Sequence, residues 1–323
     1  MRFRFAFLAI LCALWSLPVD ALAQPYPSRP LRIVVPFSPG TASDILARQL
    51  AAGLTQEIGQ PVAVENRPGG AAIIGAETVA KSAPDGYTLL LGSSQSHATN
   101  SSLVKKLPYD PIGDFAPIAR LTVFPAVLVV HQSIPAKTVA ELVAFAKPRP
   151  GQLNYASTGP GTQGHLQAAM LSATSGIALT HVPFKEAGQA FASLMRGDVQ
   201  LMFYPHSALG AVLQSGRVSV LASTGEKRSP RTPDTPTMIE AGYPEVTLAA
   251  WNAFYAPAGT PPAVIDTLSR ATRRVLEDAG TKAKFAELGI EISYSSPEEL
   301  AAFTRAEIER YRRLVALTNL KVE

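Results

Sequence analysis

The fold class follows from the stretch Leu31-Arg32-Ile33-Val34-Val35, which runs directly into Pro36-Phe37-Ser38-Pro39-Gly40-Thr41-Ala42-Ser43-Asp44. A short, mostly apolar run that ends at turn residues indicates a buried β-strand. A loop of small residues follows, and Asp44 is a preferred N-cap for a helix. That helix has an apolar face at helical spacing, formed by Leu46, Leu50, Leu54 and Ile58. Strand, loop and helix in this order predict the start of a βαβ unit.

The same alternation recurs along most of the chain. Further strands are predicted at residues 62–65, 87–91, 124–130, 153–156, 179–182, 199–203 and 218–222, with helices between most of them. A proline-rich connector then leads to a strand at 248–255, a helix from residue 260, a strand at 291–294 and a final helix opened by Ser296. We therefore expect an α/β fold of two lobes: residues 24–125 plus 249–323 form lobe 1, and residues 126–248 form lobe 2.

Residues 1–23 have the features of an export signal. Arg2 and Arg4 give a positive start, an apolar run follows, and Ala21 and Ala23 occupy the small-residue positions of a cleavage site. The apolar run is shorter than the roughly 20 residues needed to cross a bilayer. We predict cleavage after Ala23 and a soluble protein in the periplasm.

Composition excludes several classes of function. Cys12 is the only cysteine and lies within the predicted signal peptide, so the exported protein has no thiol for disulfides, catalysis or metal binding. The net charge of +4 without a long basic run does not indicate a nucleic-acid partner. The five histidines lack metal-site spacing, and no dinucleotide or phosphate-loop motif occurs. We predict no metal and no cofactor.

Two loops could bind an anion. Residues 38–43 and 157–162 each follow a strand, precede a helix and contain no charged side chain. In parallel α/β lobes such loops lie at the carboxyl ends of the strands, where ligands bind, and the free amides at a helix N-terminus attract negative charge. If the lobes face each other, both loops open on one cleft. The alternative is that both are ordinary turns, rich in glycine for steric reasons.

Other candidates leave their roles open. The loop at residues 93–97 also follows a strand and offers hydroxyls, but its pattern is weaker. His165 comes one helical turn after the second loop and either faces the cleft or packs locally. An exported hydrolase is a weaker alternative, because no G-x-S-x-G elbow presents a serine. Trp251, Phe254 and Tyr255 are assigned to core packing, with a smaller chance that one lines the cleft.

Several blocks, in a fixed order, resemble one protein family. The first three blocks are the run from Tyr26 to Gly40, Val64-Glu65-Asn66-Arg67-Pro68-Gly69-Gly70 and the run from Pro84 to Gly92. Similar blocks follow at residues 107–111, 114–118, 151–157, 181–185, 227–230 and 256–261. Together they resemble the tripartite tricarboxylate transporter receptors, the Bug or TctC-like extracytoplasmic solute-binding proteins. The resemblance covers essentially the whole chain after the signal peptide.

The resemblance implies a type II periplasmic-binding-protein fold, with two lobes joined by crossing strands around a cleft. It implies a small organic carboxylate as ligand, held between the loops at residues 37–44 and 157–165, and membrane permease subunits as the receiving partner. It leaves open a sensory module that presents an aromatic or other carboxylate. We expect a monomer that is not an enzyme.

The chain departs from the family pattern near both loops. Thr41, Ala42 and Ser43 stand where consecutive glycines are usual, Tyr204 follows Leu201-Met202-Phe203 where many members have an aspartate, and Glu186 replaces a glycine. A missing acid in the cleft would favour a more anionic or aromatic ligand. No residue is predicted to be catalytic, and the predicted ligand-binding residues are Phe37, Ser38, Gly40, Thr41, Ala42, Ser43, Asp44, Ser94, His97, Ser157, Thr158, Gly159, Gly161, Thr162, Gln163, His165 and Tyr204.

Overall fold

The computed structural model describes residues 26–229, 232–287 and 290–318. The predicted signal peptide, residues 1–23, lies outside these ranges. The strands in the described ranges are β1 (Leu31–Val35), β2 (Val62–Asn66), β3 (Thr88–Ser93), β4 (Phe115–His131), β5 (Leu153–Ser157), β6 (Leu179–Pro183), β7 (Leu201–Pro205), β8 (Val218–Ser223), β9 (Ala249–Pro257) and β10 (Glu291–Ser295).

The helices alternate with these strands, as the α/β pattern predicts. In chain order they are α1 (Ala42–Ile58), α2 (Ile73–Ala80), α3 (Asn100–Leu103), α4 (Val139–Ala146), α5 (Gln163–Ser175), α6 (Ala187–Arg196), α7 (Gly210–Gln214), α8 (Pro262–Glu277), α9 (Ala279–Glu287) and α10 (Pro297–Thr318). A single π-helical turn, Gln95–Thr99, precedes α3. Among the described helices, none combines the length and the apolar character that a membrane span requires.

One strand belongs to both lobes. The first part of β4 lies antiparallel to β9 and β10, and its last part lies antiparallel to β7 and β8. In lobe 1, β1 is parallel to β2 and β3, and β3 pairs with β9. In lobe 2, β5 is parallel to β6 and β7. The result is the two-lobe type II arrangement, with β4 and β9 as crossing strands.

The partner of β4 changes between two adjacent residues. Pro125 is opposite Ala249 of β9, whereas Ala126 is opposite Pro205 of β7. The division into residues 24–125 plus 249–323 and residues 126–248 stays a prediction, and this change of partner is the observation that supports it.

The strand β4 is much longer than the strand predicted at residues 124–130. It has 17 residues and includes Pro117 and Pro125. Proline removes a ladder donor and argues against a strand interior, so the sequence around Pro117 does not predict a strand, whereas Pro125 lies inside the predicted one. Shifts in register between Pro117 and Ala119, and again between Arg120 and Thr122, accommodate the irregular segment.

The apolar face predicted for α1 is buried, and so is one face of α10. Leu46, Leu50 and Leu54 of α1 pack with β1 in the core of lobe 1, while Ile58 is partly buried at its edge. Tyr311 of α10 is buried, together with Leu300, Ile308 and Leu314, and Phe303 packs against them. The final helix therefore supports the crossing strands rather than extending into solvent.

Gly92 near the end of β3 is held by close packing. A Cβ atom there would lie 2.8 Å from the ring of Tyr255 and 2.8 Å from His97 Cε1. These two rings are stacked, with centroids 4.1 Å apart, so neither can move away freely. The backbone of β3 therefore needs a residue without a side chain at this position.

We predict that Gly92→Ala lowers the free energy of unfolding by about 1–3 kcal/mol, the usual result of overpacking a core. The measurement is urea unfolding followed by circular dichroism. Gly188→Ala is the matched control, because a Cβ at Gly188 in α6 would meet nothing within 4 Å. That control should leave stability unchanged or raise it by up to about 1 kcal/mol. Equal stability of the Gly92→Ala variant and the wild-type protein would contradict the packing argument.

Candidate functional site

A cavity of about 400 Å³ lies between the lobes. Its lining comes from the start of α1, the segment after β3, the crossing strands β4 and β9, the start of α5, the end of β7 and α10. Nine of the predicted residues line it: Phe37, Thr41, Ala42, Ser43, Ser94, Thr158, Thr162, Gln163 and Tyr204. Both predicted loops therefore open on the same cleft.

The other predicted residues lie beside the cleft rather than in its lining. They are Ser38, Gly40, Asp44, His97, Ser157, Gly159, Gly161 and His165. Most of them belong to the same two loops and form the hydrogen bonds that shape those loops. Direct ligand contact stays a prediction for this second group, except for His97, which packs in the core.

The N-terminus of α1 is capped by Thr41, which corrects the prediction of Asp44 as N-cap. Thr41 has extended backbone angles, its carbonyl accepts the first helical bond from Ile45 N at 2.9 Å, and its hydroxyl accepts from Asp44 N at 3.4 Å. Asp44 thus lies in the first turn. The spacing of apolar residues could not separate these two good capping residues, which are only three positions apart.

Asp44 holds the loop in place with a buried carboxylate. Its side chain is 4% exposed and accepts hydrogen bonds from Gly40 N at 2.9 Å, Arg48 Nε at 3.0 Å and Asn66 Nδ2 at 2.8 Å. Burial alone would raise the pKa of Asp44, but these hydrogen bonds lower it below the ordinary value. The carboxylate is thereby occupied with the loop and with Asn66, which also donates to Phe37 O at 3.0 Å.

The backbone amide of Ala42 makes no hydrogen bond within helix α1. Ala42 is the first residue of α1 and is exposed, and the first intrahelical bond is made by Ile45 N. Amides in this position carry the positive end of the helix dipole. Because Ala42 lines the cleft, this end of α1 lies at the ligand space.

The second loop leads into α5 as the first loop leads into α1, with the first amides of the helix beside the cleft. Thr162 is the N-cap, but its hydroxyl donates to Gly159 O at 2.8 Å instead of capping the helix. The first amides of α5, from Gln163 and Gly164, precede the bond from Leu166 N to Thr162 O. A Cβ on Gly164 would lie 2.6 Å from Phe203 O, so the start of α5 packs tightly on β7. Gln163 and Gly164 both line the cleft.

Three stacked rings support the second loop from behind. The rings of His165 and His181 are 3.9 Å apart and nearly parallel, and Tyr155 stacks on His181 at 4.9 Å. His165 Nδ1 accepts a hydrogen bond from Gly161 N at 3.0 Å. Burial, together with the neighbouring His181, lowers the pKa of His165 to about 4, and burial lowers the pKa of His181. The loop is therefore built on neutral histidines.

Ser157 and His181 form a close pair whose geometry suits a structural role. Ser157 Oγ lies 2.6 Å from His181 Nε2, donates to Gly159 O at 3.0 Å and accepts from Gly159 N at 3.1 Å. Ser157 is only 1% exposed and does not line the cleft. A nucleophile must reach its substrate, so this serine organises the turn.

His97 belongs to the core rather than to the ligand space. Its ring is fully buried, stacks on Tyr255, and places Nδ1 2.9 Å from Ser96 Oγ. Burial lowers the pKa of His97 to about 3. The neighbouring residues Ser94 and Gln95 line the cleft instead.

Sequence reasoning missed most of the cleft floor and walls. Trp251 and Asn252 from β9, Phe124 from β4, Gln167 from α5 and Tyr311 from α10 all line the cavity. Trp251 was assigned to the core, and it is indeed 1% exposed, yet one side of it bounds the cleft. The only signal for this position was its place on the strand that returns to lobe 1.

Among the described residues, the cavity lining is uncharged. Every residue of the described chain that lines the cavity is apolar, aromatic, hydroxylated or an amide. Within the described ranges, no group of three or more histidine, cysteine, aspartate or glutamate side chains could hold a metal ion. Polar recognition in the cleft therefore depends on backbone amides, hydroxyls and amide side chains.

Two crossing strands, two lobes and a ligand-sized cleft define a solute-binding protein. The family model for the "Tripartite tricarboxylate transporter family receptor" matches residues 46–320. The chain belongs to this family, as the sequence blocks predicted. It is 35% identical over 319 residues to protein BugT of Bordetella pertussis, covering 98% of each chain.

Solved structures agree with this membership. The R. palustris protein Rpa4515 with adipate is 33% identical, with a TM-score of 0.79 over 92% of this chain and 99% of that one. MatC from Rhodopseudomonas palustris with bound malate is 32% identical, with a TM-score of 0.75 over 90% of this chain and 100% of MatC. The periplasmic binding protein BugD is also 32% identical, with a TM-score of 0.75 over 92% of this chain and 100% of BugD.

We predict that the free energy of unfolding of the His165→Asn variant falls less than that of the wild-type protein as the pH is lowered. In the wild-type protein the folded pKa of His165 is about 4, below the ordinary value of 6.5. The unfolded chain therefore binds more protons as pH falls from 6.5 towards 4, and stability falls over that window and then levels off. Asparagine cannot titrate, and its Oδ1 can accept from Gly161 N as Nδ1 does.

The measurement is urea unfolding of both proteins at pH 7.5, 5.5 and 4.5. The other titrating groups are common to both, so the difference between the two proteins reports His165 together with its coupling to the stacked His181. The variant should lose less stability than the wild-type protein between pH 7.5 and 4.5. Parallel curves would contradict the assignment of His165 as a buried neutral acceptor.

Proposed function

We propose that this protein is a periplasmic receptor that binds a small organic carboxylate between its lobes, carries out no chemistry, and delivers the ligand to the membrane permease of a tripartite tricarboxylate-type transporter. One observation carries the proposal: the N-termini of α1 and α5, from opposite lobes, open on one uncharged cavity. Two such ends can share one negative group.

The neutral lining determines how an anion would be held. A carboxylate moved out of water needs hydrogen bonds in its place, since burying an unpaired charge is costly. The amides of Ala42, Gln163 and Gly164 supply such donors, and the two helix dipoles add a favourable potential. No arginine of the described ranges lines the cavity, so binding would rest on oriented dipoles.

The rest of the cleft suits the carbon body of an acid. Phe37, Phe124 and Tyr204 are half-buried around the cavity and come from three different elements. A space of about 400 Å³ is near the lower end of the usual range for small-molecule pockets. Adipate bound to Rpa4515 and malate bound to MatC support the same ligand class for this relative.

Delivery of the ligand to a permease is proposed because the family is named as a receptor of a transporter. Binding proteins of this architecture capture a ligand by hinge closure, because each lobe gains contacts only when the cleft shuts. The crossing strands β4 and β9 are the natural hinge, since they are the covalent links between lobes that line the cleft. Export after Ala23 and a monomeric state are part of the proposal.

We predict that Ala42→Pro weakens carboxylate binding at least about tenfold. Proline removes the amide hydrogen at the first residue of α1 but is well tolerated there, and the extended conformation of Thr41 suits a residue before proline. One hydrogen bond to a charged group contributes about 1.5–3 kcal/mol. The measurement is calorimetric titration with whichever of adipate, malate, citrate and benzoate binds the wild-type protein most tightly.

Two control variants separate the amide from other effects. Ala42→Val adds similar bulk at the same site and keeps the amide, so it should bind far better than Ala42→Pro. Ala187→Pro places proline at the first residue of α6, where Glu186 is extended and the helix does not line the cleft. It should bind like the wild-type protein. Undiminished affinity of Ala42→Pro would reject anion binding at this helix end.

A further inference from the structure

A buried carboxyl group lies behind the floor of the cleft. Trp251 lines the ligand cavity, and its indole Nε1 donates to Glu307 Oε2 at 3.1 Å. Glu307 is 6% exposed and does not line the ligand cavity itself. It lines a separate cavity on the other side of Trp251. One indole ring therefore separates this acid from the space in which a ligand would bind.

The surroundings of Glu307 compensate its charge only loosely. Arg310 Nη1 lies 3.5 Å from Glu307 Oε1, whereas charge-assisted hydrogen bonds are about 2.7–2.9 Å long. Burial raises the pKa of Glu307 and the neighbouring Glu226 adds to this, while Arg310 and the indole oppose it. The other titratable or charged groups around Glu307 come from four elements: Tyr311 on α10, Arg120 on β4, Glu291 on β10, and Lys227 and Arg228 in the segment after β8.

The charge on Glu307 affects the potential in the cleft. Protonation of Glu307 adds one unit of positive charge behind Trp251, whatever the ionisation of the neighbouring groups. The protein interior screens this change less than water does, so an anion in the cleft is held more strongly. Linkage makes the effect reciprocal, because a proton that raises the affinity for the anion is itself bound more tightly when the anion is present. A carboxylate in the cleft therefore raises the pKa of Glu307 further.

We propose that Glu307 takes up a proton when the cleft takes up its carboxylate, so that the receptor binds its ligand more tightly at acid pH. This inference rests on the proposed function and deepens it. The proton comes from the solvent and converts the carboxylate of Glu307 to a carboxylic acid, and no other bond forms or breaks. Trp251 Nε1 keeps its acceptor, because the carbonyl oxygen of a neutral carboxyl group still accepts a hydrogen bond.

Other titratable groups near the cleft respond with the same sign. An anion also raises the pKa of His165, which is about 4, and that of His181, which burial lowers. The pKa of Glu307 lies above its ordinary value of 4.5, so its proton uptake begins at a higher pH than that of His165. A variant that lacks only the carboxyl group of Glu307 separates its contribution from theirs.

The test compares the wild-type protein with Glu307→Gln. Glutamine keeps an oxygen that accepts from Trp251 Nε1 but does not titrate. Calorimetric titration uses whichever of adipate, malate, citrate and benzoate binds the wild-type protein most tightly, at pH 8, 7, 6 and 5. Each titration is repeated in two buffers with different ionisation enthalpies, which gives the number of protons taken up.

Between pH 8 and pH 5, the affinity of the wild-type protein should rise about fivefold or more beyond any rise in Glu307→Gln, a typical coupling between linked sites. The variant should also take up fewer protons on binding and bind more tightly than the wild-type protein at pH 8. Protonation of the ligand and of the histidines is common to both proteins. A smaller difference would overturn this inference and leave the proposed function standing. If none of the acids binds, both fail.

Glu226→Gln is the matched control. Glu226 lines the same rear cavity as Glu307, but it is exposed and does not contact Trp251. Water screens an exposed charge, so its removal should change the affinity in the cleft little. This variant should keep the pH profile and the proton uptake of the wild-type protein. Loss of both in Glu226→Gln would assign the proton to another group and overturn the proposal.

Fluorescence gives a second measurement that needs no variant. Trp251 is the only tryptophan after the predicted signal peptide, because Trp15 lies within it. Its emission should follow the protonation of Glu307, to which the indole donates. The ring of His97 is 6.1 Å away, but its pKa of about 3 is below the range of the titration. The midpoint of this pH titration should move to higher pH when the ligand saturates the protein, and an unchanged midpoint would overturn the proposal.

Discussion

The site depends on the hydrogen bonding of β4 to two different sets of strands. Up to Pro125 the strand belongs to the sheet of lobe 1, and from Ala126 it belongs to the sheet of lobe 2. With β9 returning beside it, this crossing sets the position of one lobe against the other. The starts of α1 and α5 follow the carboxyl ends of β1 and β5, the ends at which parallel sheets bind ligands. The crossing brings these two ends to one cavity, which neither lobe could form alone.

The cavity lining stays uncharged because the charged and titratable groups near it make structural contacts outside the cavity. Asp44, the acid closest to the first loop, is buried and satisfied by Gly40 N, Arg48 and Asn66. His165 and His181 support the second loop as neutral rings, with their pKa values lowered by burial. Each group shapes a loop without placing a charge in the cavity. The polar groups left in the lining are backbone amides, hydroxyls and amide side chains, whose strength as hydrogen-bond partners depends on position rather than on ionisation.

Helices, strands and loops with strong local patterns could be predicted from the sequence. The residues that line the cleft could be predicted only in part. The α/β class, the apolar face of α1 and the two small-residue loops follow from spacing that neighbouring residues alone determine. The sheet order and the full length of β4 could not be predicted, because Pro117 interrupts the sequence pattern and the strand pairs with distant segments. The cleft floor was missed for the same reason. Trp251 is predicted to pack in the core, and only the crossing of β4 and β9 gives it one side on the cavity.

The final helix connects the neutral cleft to the charges behind it. Trp251 bounds the cleft on one side and, on the other, a second cavity of about 570 Å³ that contains Arg120, Glu226 and Glu307. The indole donates to Glu307 Oε2 at 3.1 Å, and Glu307 is 6% exposed and 3.5 Å from Arg310. Burial raises the pKa of Glu307. One turn along α10 from Glu307, Tyr311 reaches the cleft. Charge is therefore concentrated behind the indole while the ligand side stays uncharged, so α10 fixes the floor of the cleft without contributing a charge to it.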